Sequence, residues 1–214
     1  TLEDRGYTYS YDMLGEAART EADAERYAAA YARAIAAIAT RRADSVATSP
    51  GISVKLSALH PRYEWSHRAA VMDELVPRAA VLARAAAAAG IGFNIDAEEA
   101  ERLDLSLDVI AALVADPALA GWDGFGVVVQ AYGRRCGAVI DWLEALARRH
   151  DRRLMVRLVK GAYWDSEIKR AQERGLPGYP VFTRKPNTDV AYLACARLVL
   201  EQGPELYPQF ATHN

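Results

Sequence analysis

The sequence is short of sulfur, of net charge and of long apolar runs, and each shortage removes a class of protein. Its two cysteines, Cys136 and Cys195, stand far apart in helix-like segments, without the density of a secreted disulfide scaffold or the spacing of a zinc site. They read as free thiols of a reducing compartment. The formal net charge is -2, which gives no electrostatic reason to expect nucleic acid or an anionic membrane surface as the main partner. One dense basic run, RRHDRR at 148–153, reads as a solvated loop, because a nucleic-acid footprint recurs along a whole face. No stretch reaches the ~18–20 continuous apolar residues that cross a bilayer. The opening TLEDRGYTYSYD is too polar for a signal peptide, and, lacking methionine, it reads as a cut from a longer chain. A glycine-rich phosphate loop is missing too: GFG at 124–126 precedes a strand candidate instead of joining strand to helix.

What remains is a soluble globular composition, 51% hydrophobic and 25% charged over 214 residues, enough for one sizeable core. A first helix is predicted within RTEADAERYAAAYARAIAAIATRR, residues 19–42, where Tyr27, Tyr31, Ile35 and Ile38 recur at helical spacing and Thr20 with Asp23 resembles a capping box. A loop by composition, ADSVATSPG, follows. Five strand candidates come next: 51–59, 91–98, 124–132, 153–161 and 208–214. The intervening segments have helical length. One of them carries Pro77, which is expected to kink or interrupt it; another places Leu103, Leu107, Ile110 and Val114 on one face. Alternation of strand and helix means βαβ units and a parallel sheet.

Side-chain parity selects the kind of parallel sheet. Val54 and Leu56 share a face opposite Ser53, Lys55 and Ser57; Phe93 and Ile95 oppose Asn94 and Asp96; Val156 and Leu158 oppose Met155, Arg157 and Val159. A doubly wound sheet, covered on both sides, should be apolar on both. One apolar face and one with polar groups near the strand ends suits a closed β/α barrel, whose chemistry sits at that end. Lys55, Asp96, Gln130 and Arg157 then point into a shared interior. Lys55 with Asp96 also reads as a buried ion pair that merely satisfies that interior. Glu98 and Glu99 look like catalytic carboxylates, yet negative charge is favoured at a helix start for structural reasons. His60, His67 and His150 read as surface residues. Asp96, Glu98 and His213 make a thin metal set, and no metal site is expected. Lys55 and Lys160 leave open a Schiff-base, class I aldolase-like barrel enzyme.

Six stretches, YDMLGEAA, GISVKLSALHPRYE, GFNIDAEEAERL, VVVQAYGRRC, RLVKGAYWDSEIKRAQERGLPGYPVFTRK and YPQFATHN, resemble the proline dehydrogenase domain of the bifunctional flavoenzyme proline utilization A. The resemblance covers nearly the whole chain, with long motifs in order. It implies an α/β fold of the (β/α)8 TIM-barrel type, here the first five β/α units (51–214) behind an N-terminal helical arm (1–50). It also implies noncovalent FAD, oxidation of L-proline to pyrroline-5-carboxylate, and a membrane quinone as electron acceptor. By resemblance, Lys55 grips the substrate carboxylate, Asp96 lines the proline pocket, and Glu16 is a gating glutamate. Gln130 and Arg157 contact the flavin ring, with Arg157 near its hydride-accepting edge. Val159, Lys160, Gly161, Tyr163 and Trp164 follow as flavin neighbours; Thr183, Arg184 and Lys185, with Thr212, His213 and Asn214, lie toward the adenosine half. A cytoplasmic enzyme with peripheral association to the inner membrane follows. Its further partners are the remaining barrel strands and an aldehyde dehydrogenase module of a parent chain, with no nucleic acid bound through this region. The later strands and the carboxylate-binding arginines of the family have no counterpart here, so the 214 residues alone are expected to bind FAD poorly and to be inactive.

Overall fold

The computed structural model describes residues 5–13, 15 and 17–212. Short strands alternate with helices along the chain: β1 (Ser10–Asp12), α1 (Glu21–Ala39), β2 (Gly51–Val54), α2 (Arg68–Ala70), α3 (Val76–Ala89), β3 (Gly92–Ile95), α4 (Leu103–Val114), β4 (Phe125–Gln130), α5 (Cys136–Arg149), β5 (Leu154–Val159), α6 (Trp164–Glu173), α7 (Lys185–Glu201) and β6 (Leu206–Phe210). All five strand candidates are strands. A sixth, β1, precedes them, inside the segment read as a helical arm.

The sheet is wholly parallel and its spatial order is the chain order, β1 to β6. A doubly wound sheet reverses its order at a switch point; this one never does. Curvature is shown directly by Arg157 of β5, which donates to Ser53 Oγ of β2 and Ser10 Oγ of β1, both at 2.9 Å. In a flat sheet, strands four places apart lie roughly 19 Å from each other, far beyond one side chain. The sheet therefore curls around an interior, as a β/α barrel does, with β1 and β6 as its two edges among the described residues.

Parity runs as the sequence predicts. Ile52, Val54, Phe93, Ile95, Phe125, Val127, Leu154, Val156 and Leu158 are buried on the outer face, beneath α1, α3, α5 and α7. Register carries Asp12, Ser53, Asn94, Gly126 and Met155 along one row of the inner face. Gly126 is small by necessity there: a Cβ would stand 2.0 Å from Asn94 Oδ1.

Local rules account for the helices. Thr20 and Asp23 form the capping box of α1, and Tyr31, Ile35 and Ile38 are its buried stripe. Pro77 sits in the first turn of α3, directly after a π-helical stretch, Val71–Leu75. A ring without an N–H cannot close the usual hydrogen bond and crowds the preceding turn, so the helix widens instead of breaking. In α4 the buried face is Leu105, Val109, Ile110, Leu113 and Val114; Leu103 and Leu107 turn aside from it. The basic run is not wholly solvated either. Arg148 and Arg149 end α5, and Arg152 is buried, giving one N–H to Val114 O. Cys136 and Cys195 are free and buried, on α5 and α7, which pack together.

Candidate active site

The inner face is polar where β1, β2 and β3 end. Lys55, the residue after β2, places its ammonium 3.0 Å from Asp12 Oδ1 and 3.0 Å from Asp96 Oδ2, so two neighbouring strands clamp it. Burial pushes the lysine pKa down, but the hydrogen bonds from Asp96 and Asp12 outweigh it and hold the group protonated. Asp96 moves up, because burial exceeds the pull of Lys55.

Arg157 lies beside this cluster in a different setting. Among the described residues its guanidinium pairs with no carboxylate: Ser10 Oγ, Ser53 Oγ and Gln209 Oε1 accept from it at 2.9, 2.9 and 3.1 Å. Burial lowers its pKa, opposed by the more distant Asp96 and Asp12. Three neutral oxygens fix the cation directly, and Asp96 and Asp12 offset it only from a distance, so its nearest field is open to an electron-rich group in the interior.

At the rim, Gln130 is tied at both ends. Its Nε2 donates to Glu98 O at 2.9 Å and its Oε1 accepts from Ala162 N at 3.0 Å. This knots the ends of β4 and β5 together, as do bonds from Ala131 N to Val159 O and from Tyr132 N to Lys160 O. Gly161 has φ +145°, and a Cβ there would meet the Tyr132 ring at 2.4 Å, so only glycine fits. Tyr163 precedes α6, its backbone N–H 3.3 Å from Tyr132 Oη.

A second cationic cluster lies farther along. Lys160 and Lys185 share one carboxylate, Asp189, at 2.7 and 2.9 Å, an excess of one positive charge. The starts of α6 and α7 carry no side-chain cap; the first N–H groups of α6 remain open to an anion, whereas α7 has Pro186, without an N–H, in its first turn and bonds Asn187 N to Arg184 O. Trp164 opens α6, its Nε1 donating to Phe182 O. Thr183 and Arg184 are exposed just before α7, and Thr212 is exposed after β6.

Residues 1–214 match the family model for proline dehydrogenase throughout. The chain belongs to the proline dehydrogenase family. It is 58% identical over 214 residues to the bifunctional protein PutA of Salmonella typhimurium and 56% identical over 213 residues to that of Rhizobium meliloti. All of this chain is covered in both, but only 16% and 17% of those relatives. Among solved structures, a mutant of Bradyrhizobium japonicum proline utilization A superposes with TM-score 0.95 at 62% identity, over 99% of this chain and 22% of that one. Proline utilization A from Bdellovibrio bacteriovorus, inactivated by N-propargylglycine, gives TM-score 0.91 at 30% identity, over 100% of this chain and 23% of that one. The chain thus spans about a fifth of the proteins it resembles.

Within this proline dehydrogenase fold the sequence-predicted residues fall into groups. Lys55, Asp96 and Arg157 converge; Gln130, Val159 and Gly161 hold the rim; Lys160 and Lys185 form the outer cationic pair. Glu16, His213 and Asn214 lie outside the described residues. The surface reading of His60 needs correction. His60 is buried, its Nδ1 accepting from Arg62 N and its Nε2 3.3 Å from Glu74 Oε2. Glu98 and Glu99 both pair with Arg102, and Glu98 also accepts from Ser57 N, so both are occupied structurally. Among the described residues no metal-ligating cluster forms. Asp12, Ser10, Ser53 and Gln209 join the site without having been singled out by the sequence. For the first two, the alternation of Tyr9 and Tyr11 with Ser10 and Asp12 is the available signal.

The donor set fits a flavin dinucleotide: a guanidinium with no carboxylate in direct contact among the described residues for the ring, and a net positive cluster beside the uncapped start of α6 for a diphosphate. Both lysines are unfit as Schiff-base nucleophiles. Lys55 is doubly paired, and the pKa of Lys160 is raised by Asp189, so each stays an ammonium.

Proposed function

We propose that this domain oxidises L-proline to pyrroline-5-carboxylate, holding FAD noncovalently and passing the electrons to a quinone. The observation that carries the reading is the pairing, on one inner face, of a protonated lysine with an arginine that has no counter-ion among the described residues. FAD, when bound, supplies the two-electron oxidation by accepting a hydride from the carbon next to nitrogen. The chain's own residues do the rest. An ammonium has three donors, and Asp12 Oδ1, Asp12 Oδ2 and Asp96 Oδ2 all accept from it within 3.1 Å, so Lys55 turns one N–H from the more exposed Asp12 to the substrate carboxylate. Asp96 fixes where that N–H points. Arg157, held by Ser10, Ser53 and Gln209, favours negative charge in the group next to it. Val159, Gly161, Tyr163 and Trp164 bring backbone close to the ring and ribityl chain. Lys160 and Lys185 are assigned to the diphosphate and Thr183, Arg184 and Thr212 to the adenosine, the role that the family resemblance also gives His213 and Asn214. Glu16 gates the substrate.

The remaining barrel strands and an aldehyde dehydrogenase module of a longer polypeptide are the proposed intramolecular partners; the name of the relatives, bifunctional protein PutA, supports this. A cytoplasmic place with peripheral contact to the inner membrane suits a quinone acceptor. Among the described residues no helix is long and apolar enough to cross a membrane. Because β1 and β6 are unpaired edges among the described residues, residues 1–214 alone are proposed to hold FAD weakly and not to turn over. Anaerobic addition of L-proline is the test. The complete polypeptide should be yellow and bleach with formation of pyrroline-5-carboxylate, while the 214-residue piece stays colourless and inert. Absence of bleaching in the complete, FAD-loaded protein would refute the assignment.

A further inference from the structure

A cavity of about 220 Å³ opens on the other side of the sheet from Lys55 and Arg157. It lies between the ends of β3 and β4 and the first turns of α4 and α5, and Asp96, Val128 and Gln130 line it as well. Its walls are Leu107, Ile110, Val127, Val129 and Val139. Leu103 and Leu107, the two α4 residues that turn away from the buried face, line it as well. An apolar space of ~150 Å³ already admits benzene, so this one holds a somewhat larger ring.

Two buried polar atoms in the wall lack a hydrogen-bond partner among the described residues, the Tyr63 hydroxyl and Glu99 Oε2, and the second stands 3.1 Å from the Arg102 guanidinium. Tyr63 is 3% exposed, and its hydroxyl makes no hydrogen bond among the described residues. The Ser106 hydroxyl donates to Leu103 O at 2.8 Å and lies close enough to act on the Tyr63 phenol, but without hydrogen-bond geometry. Leaving a buried hydroxyl unpaired costs ~1–3 kcal/mol. The Tyr63 ring is held in place by Arg102, whose guanidinium carbon stands 5.5 Å from the ring centroid. Burial raises the phenol pKa well above its ordinary value, so the group remains a donor at any physiological pH. The nearby carboxylates are committed elsewhere: Glu98 to Ser57 N and Arg102, Glu99 to Arg102. Arg134 and Arg135 also line the cavity but are exposed, so a charged group would meet them only toward solvent, and among the aliphatic walls it would be unfavourable.

We propose that this cavity is a binding site for a neutral, flat, mainly apolar ring that carries a carbonyl oxygen, and that Tyr63 Oη donates to that oxygen. Aryl ketones and quinones share this chemistry. Only in the quinone case does the site rest on the proposed proline oxidation, as the place where an electron acceptor docks.

Calorimetric titration of the complete FAD-loaded polypeptide with 1-tetralone and, separately, with 2-methyl-1,4-naphthoquinone tests it without using turnover. Failure of proline oxidation would leave the result interpretable. At least one probe should bind at millimolar concentration or better. Y63F should weaken that binding about five- to tenfold, the loss of one hydrogen bond, and L107F should abolish it by filling the space. Tighter binding of the naphthoquinone identifies the quinone as occupant; equal binding identifies the ring ketone class alone. Without ligand, Y63F should keep or raise the melting temperature, since it removes an unpaired hydroxyl. The proposal is overturned if neither probe binds, if Y63F binds as well as the parent, or if Y63F lowers the ligand-free melting temperature.

Discussion

Two cations on one inner face differ in what surrounds them. Lys55 sits between Asp12 and Asp96, so its charge is locally answered and its proposed use is directional, one N–H turned to the substrate. Arg157 touches only neutral oxygens among the described residues, so its proposed use is electrostatic. Replacing Lys55 by methionine removes the donor and leaves two carboxylates facing each other. The expected result is a KM for proline raised about a hundredfold or more, since a hydrogen bond between charged groups contributes ~1.5–3 kcal/mol and mutual repulsion of Asp12 and Asp96 adds to the loss. Flavin content should be little changed. Steady-state kinetics with a dye acceptor checks this, and an unchanged KM would remove Lys55 from the substrate's carboxylate. Lys55, Asp96 and Arg157 were legible in the sequence because a polar side chain at alternate positions of an apolar strand must face something other than a packed helix. Asp12 was not. Its strand has three residues and follows a polar stretch, so nothing marked it except two tyrosines in alternation.

Among the helices, α1 shows how local chemistry fixes an element's start. Thr20 Oγ1 accepts from Asp23 N at 3.1 Å while Asp23 Oδ2 accepts from Thr20 N at 3.0 Å. The Asp23 carboxyl is held down from 3.8 to about 2, by Arg26 first and Thr20 next. A depressed carboxylate stabilises the fold above its ordinary pKa and loses that contribution as pH falls through the lowered one. Stability from this box should therefore fade between roughly pH 4 and 2. T20A should lower stability by ~1 kcal/mol at neutral pH, with a smaller difference at pH 2; denaturant titration at the two pH values measures it. Equal effects at both would separate the cap from the titration. This box was legible from four residues because its bonds are local. The buried face of α4, the burial of Arg152 and the packing of His60 were not, since each depends on which element lies opposite, and sequence spacing does not contain that.

At the scale of the molecule, parallel strands in chain order curl so that β5 touches β1 and β2 through one arginine. The same curl separates two environments, an inner face of charge and hydroxyls and an outer face of aliphatic side chains beneath helices. Barrel class followed from parity alone; the strand count did not, because a three-residue strand carries too little pattern. Arg157, with no carboxylate in direct contact among the described residues, is proposed to act as a cation toward the flavin. Potentiometric titration of the complete, FAD-loaded R157M protein tests this most directly. A midpoint at least about 30 mV more negative than the parent, which is ~1.4 kcal/mol for two electrons, is the predicted result. A midpoint equal to the parent's, with flavin still bound, would contradict it.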